Sequence, residues 1–382
     1  VLVAGVSTRA LAESAARAGF AVTSIDAFAD VDQHPAVDVR SLGTSFSPAA
    51  AAAASRPIAC DAVVYGASFE NHPSAVDSLA HGRALWGNTP DVLRRVRDPM
   101  LLSEALRRRG FEAPAVIDTR TPNPEPRTPN PEPDRWLVKR RASGGGHGVS
   151  RWRHGDEVPA DAYLQEFIEG VPTSVLFVAA SGRAAPIGVS LQLIGDAAFG
   201  VSGFRWCGNI LTGSCRDVDE VNGVAQVAAA ICDEFALVGV NGIDLIARDG
   251  VPYAVEVNPR WCASMELVER AYGVSVFGMH AAACRDGALP AFDLANARRG
   301  APAVGKAIVF ARHDVDVGNT RPWLVNRDPP AGDLRDIPHA GTRIRAGRPI
   351  CSVFATARDA AACRAELVRK AEQVYASVNA ML

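Results

Sequence analysis

Apolar residues follow two rhythms along this chain. From Val1 to Val6 they run nearly unbroken, which predicts a buried strand, and Ala21 to Asp26 returns to the same pattern. Between them, Arg9 to Ala18 sets alanine and leucine among polar positions in a helical pattern that Gly19 ends. Ala62 to Gly66 and Ala84 to Gly87 read as a third and a fourth strand, separated by helical stretches that include the alanine run Ala49 to Ala54. Strand, helix and strand alternating in this way predict a parallel sheet with helices on both faces. The opening turn, Gly5-Val6-Ser7-Thr8, lacks GxGxxG, so no dinucleotide site is expected there. Gly5 and Asp26 are candidates for lining a ligand crevice at the strand ends, with a turn glycine and an exposed acid as the plainer alternative.

The pattern breaks at Arg120. Arg120 to Pro126 reads RTPNPEP, and Arg127 to Pro133 repeats it without change. Proline lacks an amide hydrogen and restrains the residue before it, so neither copy can form a helix or a central strand. The expectation is an exposed, polyproline-like spacer extending roughly 3.1 Å per residue. A proline-rich ligand for another protein is the weaker alternative.

Beyond the spacer the strands carry chemistry. Trp136 to Lys139 has strand character and runs into a loop with Ser143, Gly144, Gly145, Gly146, His147 and Gly148. Glycines let backbone N–H groups close over phosphate oxygens, and Lys139 can add a point charge to the same oxygens. No GxxxxGK[ST] occurs, so this is not a Walker loop. His147 reads as a solvent-facing loop residue that can reach phosphate. Tyr163 to Val178 reads as strand, short polar connection and strand. Such a connection can hold an adenine ring by its backbone while Phe167 and Ile168 sandwich it.

Ile243 to Ala247 and Pro252 to Val257 are β-prone runs around Arg248-Asp249-Gly250. With these three residues as the loop, Ala247 pairs with Val251 and Asp244 faces Ala254, which places Asp244 and Glu256 on one face as diagonal neighbours. A two-residue loop would put them on opposite faces. With Asn258, the two carboxylates make a hard-oxygen set suited to magnesium that also takes phosphate oxygens, and Arg260 lies beside it.

Composition narrows what such a site is mounted on. A chain of 382 residues has room for two or three domains with their own cores. A net charge of −2 gives no nucleic-acid footprint, and no apolar run approaches the length of a membrane span. The first residues lack the layout of a signal peptide, and the expected location is cytoplasmic. Eight scattered cysteines with no CxxC pair are expected to be mostly buried thiols. Cys262 follows Arg260 closely, but nothing near it in sequence would lower its pKa.

In order and spacing, Lys139 with its glycine loop, QEFIEG at Gln165 to Gly170, Asp244 in NGID, and Glu256-Val257-Asn258-Pro259-Arg260 resemble the ATP-grasp enzymes. Within that family the chain looks most like predicted carboligases related to biotin carboxylase, the branch that includes tyramine-glutamate ligase of methanofuran synthesis. The tail, with Asp336-Ile337-Pro338, Gly341, Gly347, Pro349-Ile350-Cys351 and a helix from about Ala357 to Ala380, is similar to the C-terminal part of biotin carboxylase.

The resemblance implies an α/β and α+β class: an ATP-grasp fold with a Rossmann-like pre-grasp domain at 1–97, a linker helix and proline-rich loop at 98–134, a grasp region at 135–300 with its lid at about 135–180, and a biotin-carboxylase-like segment at 301–382. It makes Lys139, Ser143, Gly144, Gly145, Gly146, Gly148, Gln165, Glu166, Phe167 and Ile168 the ATP-binding set. Asp244, Glu256 and Asn258 become ligands of Mg2+ or Mn2+, and Arg260 with Lys139 the catalytic pair. Arg205 and Asn209, in GFRWCGN, are substrate candidates. For Arg205 a surface position, with Trp206 packed in the core, is the equal alternative.

Two positions depart from the family pattern. Pro172 stands where many relatives carry a ribose-binding Glu, and Asp98-Pro99 stands where an Asp-Lys supplies a phosphate-binding lysine; Thr173, Ser174 or Arg97 are the candidate substitutes. The implied reaction, in amino-acid or cofactor biosynthesis, activates a carboxylate as an acyl phosphate and joins it to an amine, releasing ADP and phosphate. The alternatives are an ATP-dependent carboxylase using bicarbonate and a non-catalytic nucleotide-binding grasp protein. The expected partners are small-molecule carboxylate and amine substrates, without nucleic acid or membrane, and a homodimer is left open.

Overall fold

The computed structural model describes residues 1–120, 135–212, 223–324 and 333–379. The tandem heptapeptide beyond Arg120 lies outside the described residues, as does Cys215.

The N-terminal part is a parallel sheet of β1 (Leu2–Ala4), β2 (Val22–Asp26), β3 (Val37–Ser41), β4 (Ala62–Tyr65) and β5 (Ala84–Leu85), in the order β3-β2-β1-β4-β5. Helices α1 (Arg9–Arg17), α2 (Pro48–Ser55) and α3 (Pro73–Ala80) connect these strands. Sequence pattern misses β3, because its exposed positions and its sequence VDVRS suit an edge strand with no apolar run to mark it. Asp26 is not an exposed acid. It is buried, and its carboxylate accepts the Thr8 N–H and hydroxyl on one oxygen and the Phe28 and Ala29 N–H groups on the other. That saturation makes it a brace for the turn after β1.

Two helices, α4 (Pro90–Val96) and α5 (Pro99–Arg108), lead to a small antiparallel sheet. This sheet holds β6 (Val116–Ile117), β7 (Trp136–Arg140), β8 (Ser150–Arg151) and β9 (Ala162–Glu166), in the order β6-β9-β7-β8. The Asp98-Pro99 departure has a local cause: Asp98 caps α5 through Met100 and Leu101 N–H, and Pro99 takes the first helical position, where its missing N–H costs nothing.

The central element is an eight-stranded sheet. It holds β10 (Val171–Ala180), β11 (Arg183–Ile194), β12 (Trp206–Leu211), β13 (Gly239–Arg248), β14 (Val251–Asn258) and β15 (Ala303–Phe310). A separate pair, β16 (Val315–Asp316) and β18 (Arg343–Ile344), flanks β17 (Leu334–Arg335) in sequence. β17 and β19 (Pro349–Ala357) complete the large sheet in the order β14-β13-β10-β11-β12-β15-β19-β17. Helices α6 (Val224–Phe235), α7 (Met265–Tyr272), α8 (Val276–Asp286) and α9 (Ala360–Asn379) pack around it. One face buries Leu176, Val178 and Val240 with Val3 and Leu11 of the N-terminal part, which seats that part against the sheet.

A buried ionic cluster pins the same contact. Arg9, fully buried, donates to Glu266 of α7 (2.9 Å), Asp336 beyond β17 (2.6 Å) and Glu13 (3.1 Å), and Lys306 of β15 meets Glu266 at 2.9 Å. The seven described cysteines are free, and five of them are buried. No helix among the described residues is long and apolar enough to cross a membrane.

Candidate active site

The β13–β14 hairpin turns on two residues, Asp249 and Gly250, both at positive φ, with Arg248 paired to Val251. This corrects the three-residue loop. A plain two-residue hairpin would set Asp244 and Glu256 on opposite faces. A β-bulge prevents that: Leu245 pairs with Ala254, and the next pair is Asp244 with Glu256, so Val255 is the extra residue. The two carboxylates stand directly opposite on one face, rather than diagonally. The bulge also frees the Val255 carbonyl, which accepts Gln165 Nε2 (3.3 Å) and Lys139 Nζ (3.5 Å).

Each acid is held by a different set of neighbours. Asp244 Oδ1 accepts from Gln192 of β11 (2.8 Å) and Oδ2 from Asn258 Nδ2 (2.9 Å). Burial, then the charge of Glu256, pushes the Asp244 pKa up to about 6. Burial acts on Glu256 in the same direction, but Arg97 and Lys139 outweigh it and lower its pKa. The donor set of two carboxylates and the Asn258 amide oxygen, on one face, fits a hard divalent cation that takes its remaining oxygens from phosphates.

Arg97, at the end of α4, ties the site together. Its Nη1 ion-pairs Glu256 Oε1 and reaches the Val257 carbonyl (3.0 Å), while Nη2 donates to Asn71 Oδ1 (2.9 Å) and to the Ser143 carbonyl (3.1 Å). Asn71 Nδ2 donates to that same carbonyl (3.3 Å). Arg97 thus joins the acid pair to the start of the glycine loop, close to where the expected lysine is missing. Lys139 Nζ lies 3.0 Å from Gln165 Oε1. Burial disfavours its charge, but Tyr163, Glu256 and Asp244 outweigh that and raise its pKa.

The glycine loop is docked. Trp206 N–H donates to the Gly145 carbonyl (3.1 Å), and Gly146, at φ +72°, lies so close to the Phe204 carbonyl that a Cβ would sit 1.8 Å from its oxygen. Only glycine fits there. Gly148 lies at the far end of the loop, and His147 is exposed. Behind the loop, Phe167 lies under the Arg151 guanidinium at 3.4 Å and near the Phe204 ring, and Ile168 is buried. The N–H groups of Glu166 and Phe167 are taken by the Ala115 and Arg135 carbonyls, and the Glu166 carboxylate by Ala115 N–H and Arg135. A base at this hinge is therefore not read by those two amides.

Arg260 is held by Glu70, a residue of the N-terminal part that sequence pattern does not single out. Arg260 Nε and Nη2 donate to Glu70 Oε1 at 2.9 and 2.8 Å, and Nη2 also donates to Asn258 Oδ1 at 3.0 Å. Cys262 is no nucleophile, since burial pushes its thiol up to about 12. Asn209 spends both amide N–H bonds on Ser174 and Ser190 and accepts from Trp206 Nε1 (2.9 Å), within a buried polar row on the same sheet. This row absorbs Ser174. Arg205 is half-buried, its guanidinium 5.4 Å from the Phe310 ring.

A family model for the ATP-grasp domain matches residues 96–264. No curated protein sequence matches the chain. Among solved structures, the chain is similar to an L-amino acid ligase from Bacillus licheniformis (15% identity, 97% of this chain and 96% of that one, TM-score 0.70). It is also similar to the biotin carboxylase domain of 2-oxoglutarate carboxylase from Hydrogenobacter thermophilus, solved with MgADP, ADP and bicarbonate (14% identity, 94% and 86% covered, TM-score 0.70). A third is N5-carboxyaminoimidazole ribonucleotide synthetase from Thermotoga maritima (15%, 97% and 97%, TM-score 0.65). At these identities the likeness is one of fold.

Proposed function

We propose, from the match of an ATP-grasp domain model to residues 96–264, that this chain is an ATP-dependent ligase that activates a carboxylate as an acyl phosphate and joins it to an amine. The observation that carries the reading is the bulged hairpin. It sets Asp244 opposite Glu256 with Asn258 two residues on, and Asn258 is hydrogen-bonded to Arg260. A binding protein has no need of a guanidinium fixed beside a carboxylate pair. The L-amino acid ligase and carboxylase folds are consistent with either an amine or bicarbonate chemistry, and the orphaned carboxylate described below favours the amine.

In this reading Asp244, Glu256 and Asn258 hold Mg2+ or Mn2+, which when bound neutralises phosphate charge. Lys139 and the amides of the glycine loop receive phosphate oxygens, and Gln165 keeps the lysine ammonium aimed by accepting its hydrogen bond. Arg97 lies close to where the missing lysine would act, but its guanidinium is spent on Glu256, Asn71 and the Ser143 carbonyl. Arg260, fixed by Glu70 and Asn258, faces the developing charge on the acyl phosphate. Adenine lies along the Gln165 to Ile168 segment. Reaction in the cytoplasm on small-molecule substrates follows from the same reading.

The test is product analysis. Purified protein with ATP, Mg2+ and a panel of L-amino acids, glutamate first, should release ADP and phosphate only when acid and amine are both present. Hydroxylamine in place of the amine should yield a hydroxamate. AMP and pyrophosphate would mean an adenylate and sink the proposal, and strict bicarbonate dependence would move it to a carboxylase.

A further inference from the structure

Glu70 sits at the centre of a short 3-10 turn, Phe69–Asn71, just past β4, and is 3% exposed. Ser68 enters that turn at φ +86°, a conformation that a non-glycine residue adopts at a cost. The turn delivers two side chains to the site, Asn71 to the glycine loop and Glu70 to Arg260. The Glu70 carboxylate is used on one side only. Oε1 accepts both Arg260 donors, while Oε2 is sealed from solvent and has no hydrogen-bond partner among the described residues.

A buried carboxylate oxygen without a donor is costly, and a donor brought by a bound ligand would remove that cost. The other titratable groups around Arg260 are spoken for. Cys262 is held protonated by burial, Glu256 is engaged by Arg97, and the Tyr65 hydroxyl donates to the Asn88 and Pro259 carbonyls. A ligand group that meets an anionic acceptor here must bring N–H or O–H, and an ammonium gains most, since its charge is matched as well as its hydrogens.

We propose that Glu70 receives the amine substrate: Oε2 binds the ammonium of a primary amine and takes its proton. This rests on the ligase reading above. In the step, one proton passes from R–NH3+ to Glu70, and the freed lone pair forms the C–N bond to the acyl carbon. The C–O bond to phosphate breaks, its electron pair leaves with phosphate, and a second N–H proton follows to the phosphate oxygen. Because Oε1 stays on Arg260, one side chain orients both the guanidinium at the acyl phosphate and the nucleophile attacking it.

The test separates the two nucleophiles. Hydroxylamine is largely unprotonated at neutral pH and needs no base to become reactive, whereas an amino acid arrives as an ammonium. With an acid from the panel and saturating MgATP, Glu70→Gln should lose far more of its rate with the amine than with hydroxylamine, and the ratio of the two losses is the readout. The same variant should lose on the order of 100-fold in kcat/KM for the amine, the size of a lost general base. Glutamine retains an oxygen for Arg260, so retained hydroxamate formation reports that Arg260 is still in place. Equal loss with both nucleophiles would show that Glu70 only positions Arg260, and no loss with either would show that it does nothing here; both overturn the proposal while leaving the ligase reading. A parent that forms neither product with any acid overturns the ligase reading, and this one with it. If Glu70→Gln does not accumulate folded, Glu70→Asp keeps the charge but withdraws the oxygen by one methylene, and should show the same selective loss in smaller degree.

Discussion

Arg97 stands at Glu256 where the proposed site puts a divalent cation, and this sets up a stability test. Removing its guanidinium by Arg97→Met strips Glu256 of its main counter-charge, takes a donor from the Ser143 carbonyl, and leaves Asn71 Oδ1 without its donor. Breaking a fully buried pair costs about 3–5 kcal/mol. Arg97 is 11% and Glu256 25% exposed, so solvent screening reduces the figure to about 2–4 kcal/mol. Lys139 still faces Glu256 and limits the loss. In EDTA the variant should therefore unfold several degrees below the parent. With Mg2+ and ADP the gap should narrow, because the cation satisfies the stranded carboxylate in the variant but must displace Arg97 from it in the parent. Thermal melts of both proteins in EDTA and in Mg–ADP measure the difference of differences. A double-mutant cycle with Glu256→Gln separates the pair from the lost contacts to the loop, and a coupling of about 2 kcal/mol or more is expected. Coupling near zero, or a gap that Mg–ADP leaves unchanged, would refute the reasoning.

Two further predictions concern the cluster that seats the N-terminal part on the sheet. Arg9→Met leaves Glu13, Asp32, Glu266 and Asp336 without their shared cation; about 3–5 kcal/mol of stability should be lost, and a denaturant-melt change under about 1 kcal/mol would contradict it. Asp30 is raised to about 9 by burial and then by Asp336, Asp32 and Asp26, so in the folded chain it holds a proton that the unfolded chain gives up near its ordinary value of 3.8. Stability from this group is full below that lower value and falls as pH rises towards 9. Asp30→Asn should therefore stabilise the protein by about 1–3 kcal/mol at pH 8 and by much less at pH 4, read from melts at both pH values.

What the sequence disclosed divides along chain separation. Strands with continuous apolar runs, such as β1, β2 and β4, announce themselves, and the β13–β14 hairpin does too, because Asp249-Gly250 sits between two β-prone runs. The facing of Asp244 and Glu256 was inferred through a loop one residue too long. The actual hairpin restores the parity with a bulge at Val255, and valine at that position carries no mark of it. An added residue in the loop and an added residue in the strand change the alternation alike, so a pattern argument cannot tell them apart. Only the contacts do, since the bulge alone turns the Val255 carbonyl toward Lys139 and Gln165.

The residues that sequence left out share a different cause. Gln192, Asn71 and Glu70 come from parts of the chain 52, 72 and 190 positions away from the partners they hold, Asp244, Ser143 and Arg260. No local spacing encodes those meetings: Gln192 reaches Asp244 through the order of β11, β10 and β13 in the large sheet, and Asn71 and Glu70 reach their partners through the seating of the N-terminal part. Glu70 lies beyond β4, next to the point where strand order reverses between β1 and β4. In parallel sheets, ligands collect outside the strand ends at that point. The opening loop after β1 lacks the glycine fingerprint for phosphate, and Asp26 at the end of β2 is consumed by Thr8 and by the turn that follows it. What remains at this crevice is the turn after β4, whose Glu70 and Asn71 reach out of their own sheet to Arg260 and the Ser143 carbonyl. In the proposed reaction the N-terminal sheet contributes through Glu70 and Asn71, and the strength of its seating by Arg9 bears on the reaction as well as on folding. A loosened Arg9 cluster should reduce turnover with the amine more than hydroxamate formation, because the group it displaces is the one that meets the amine.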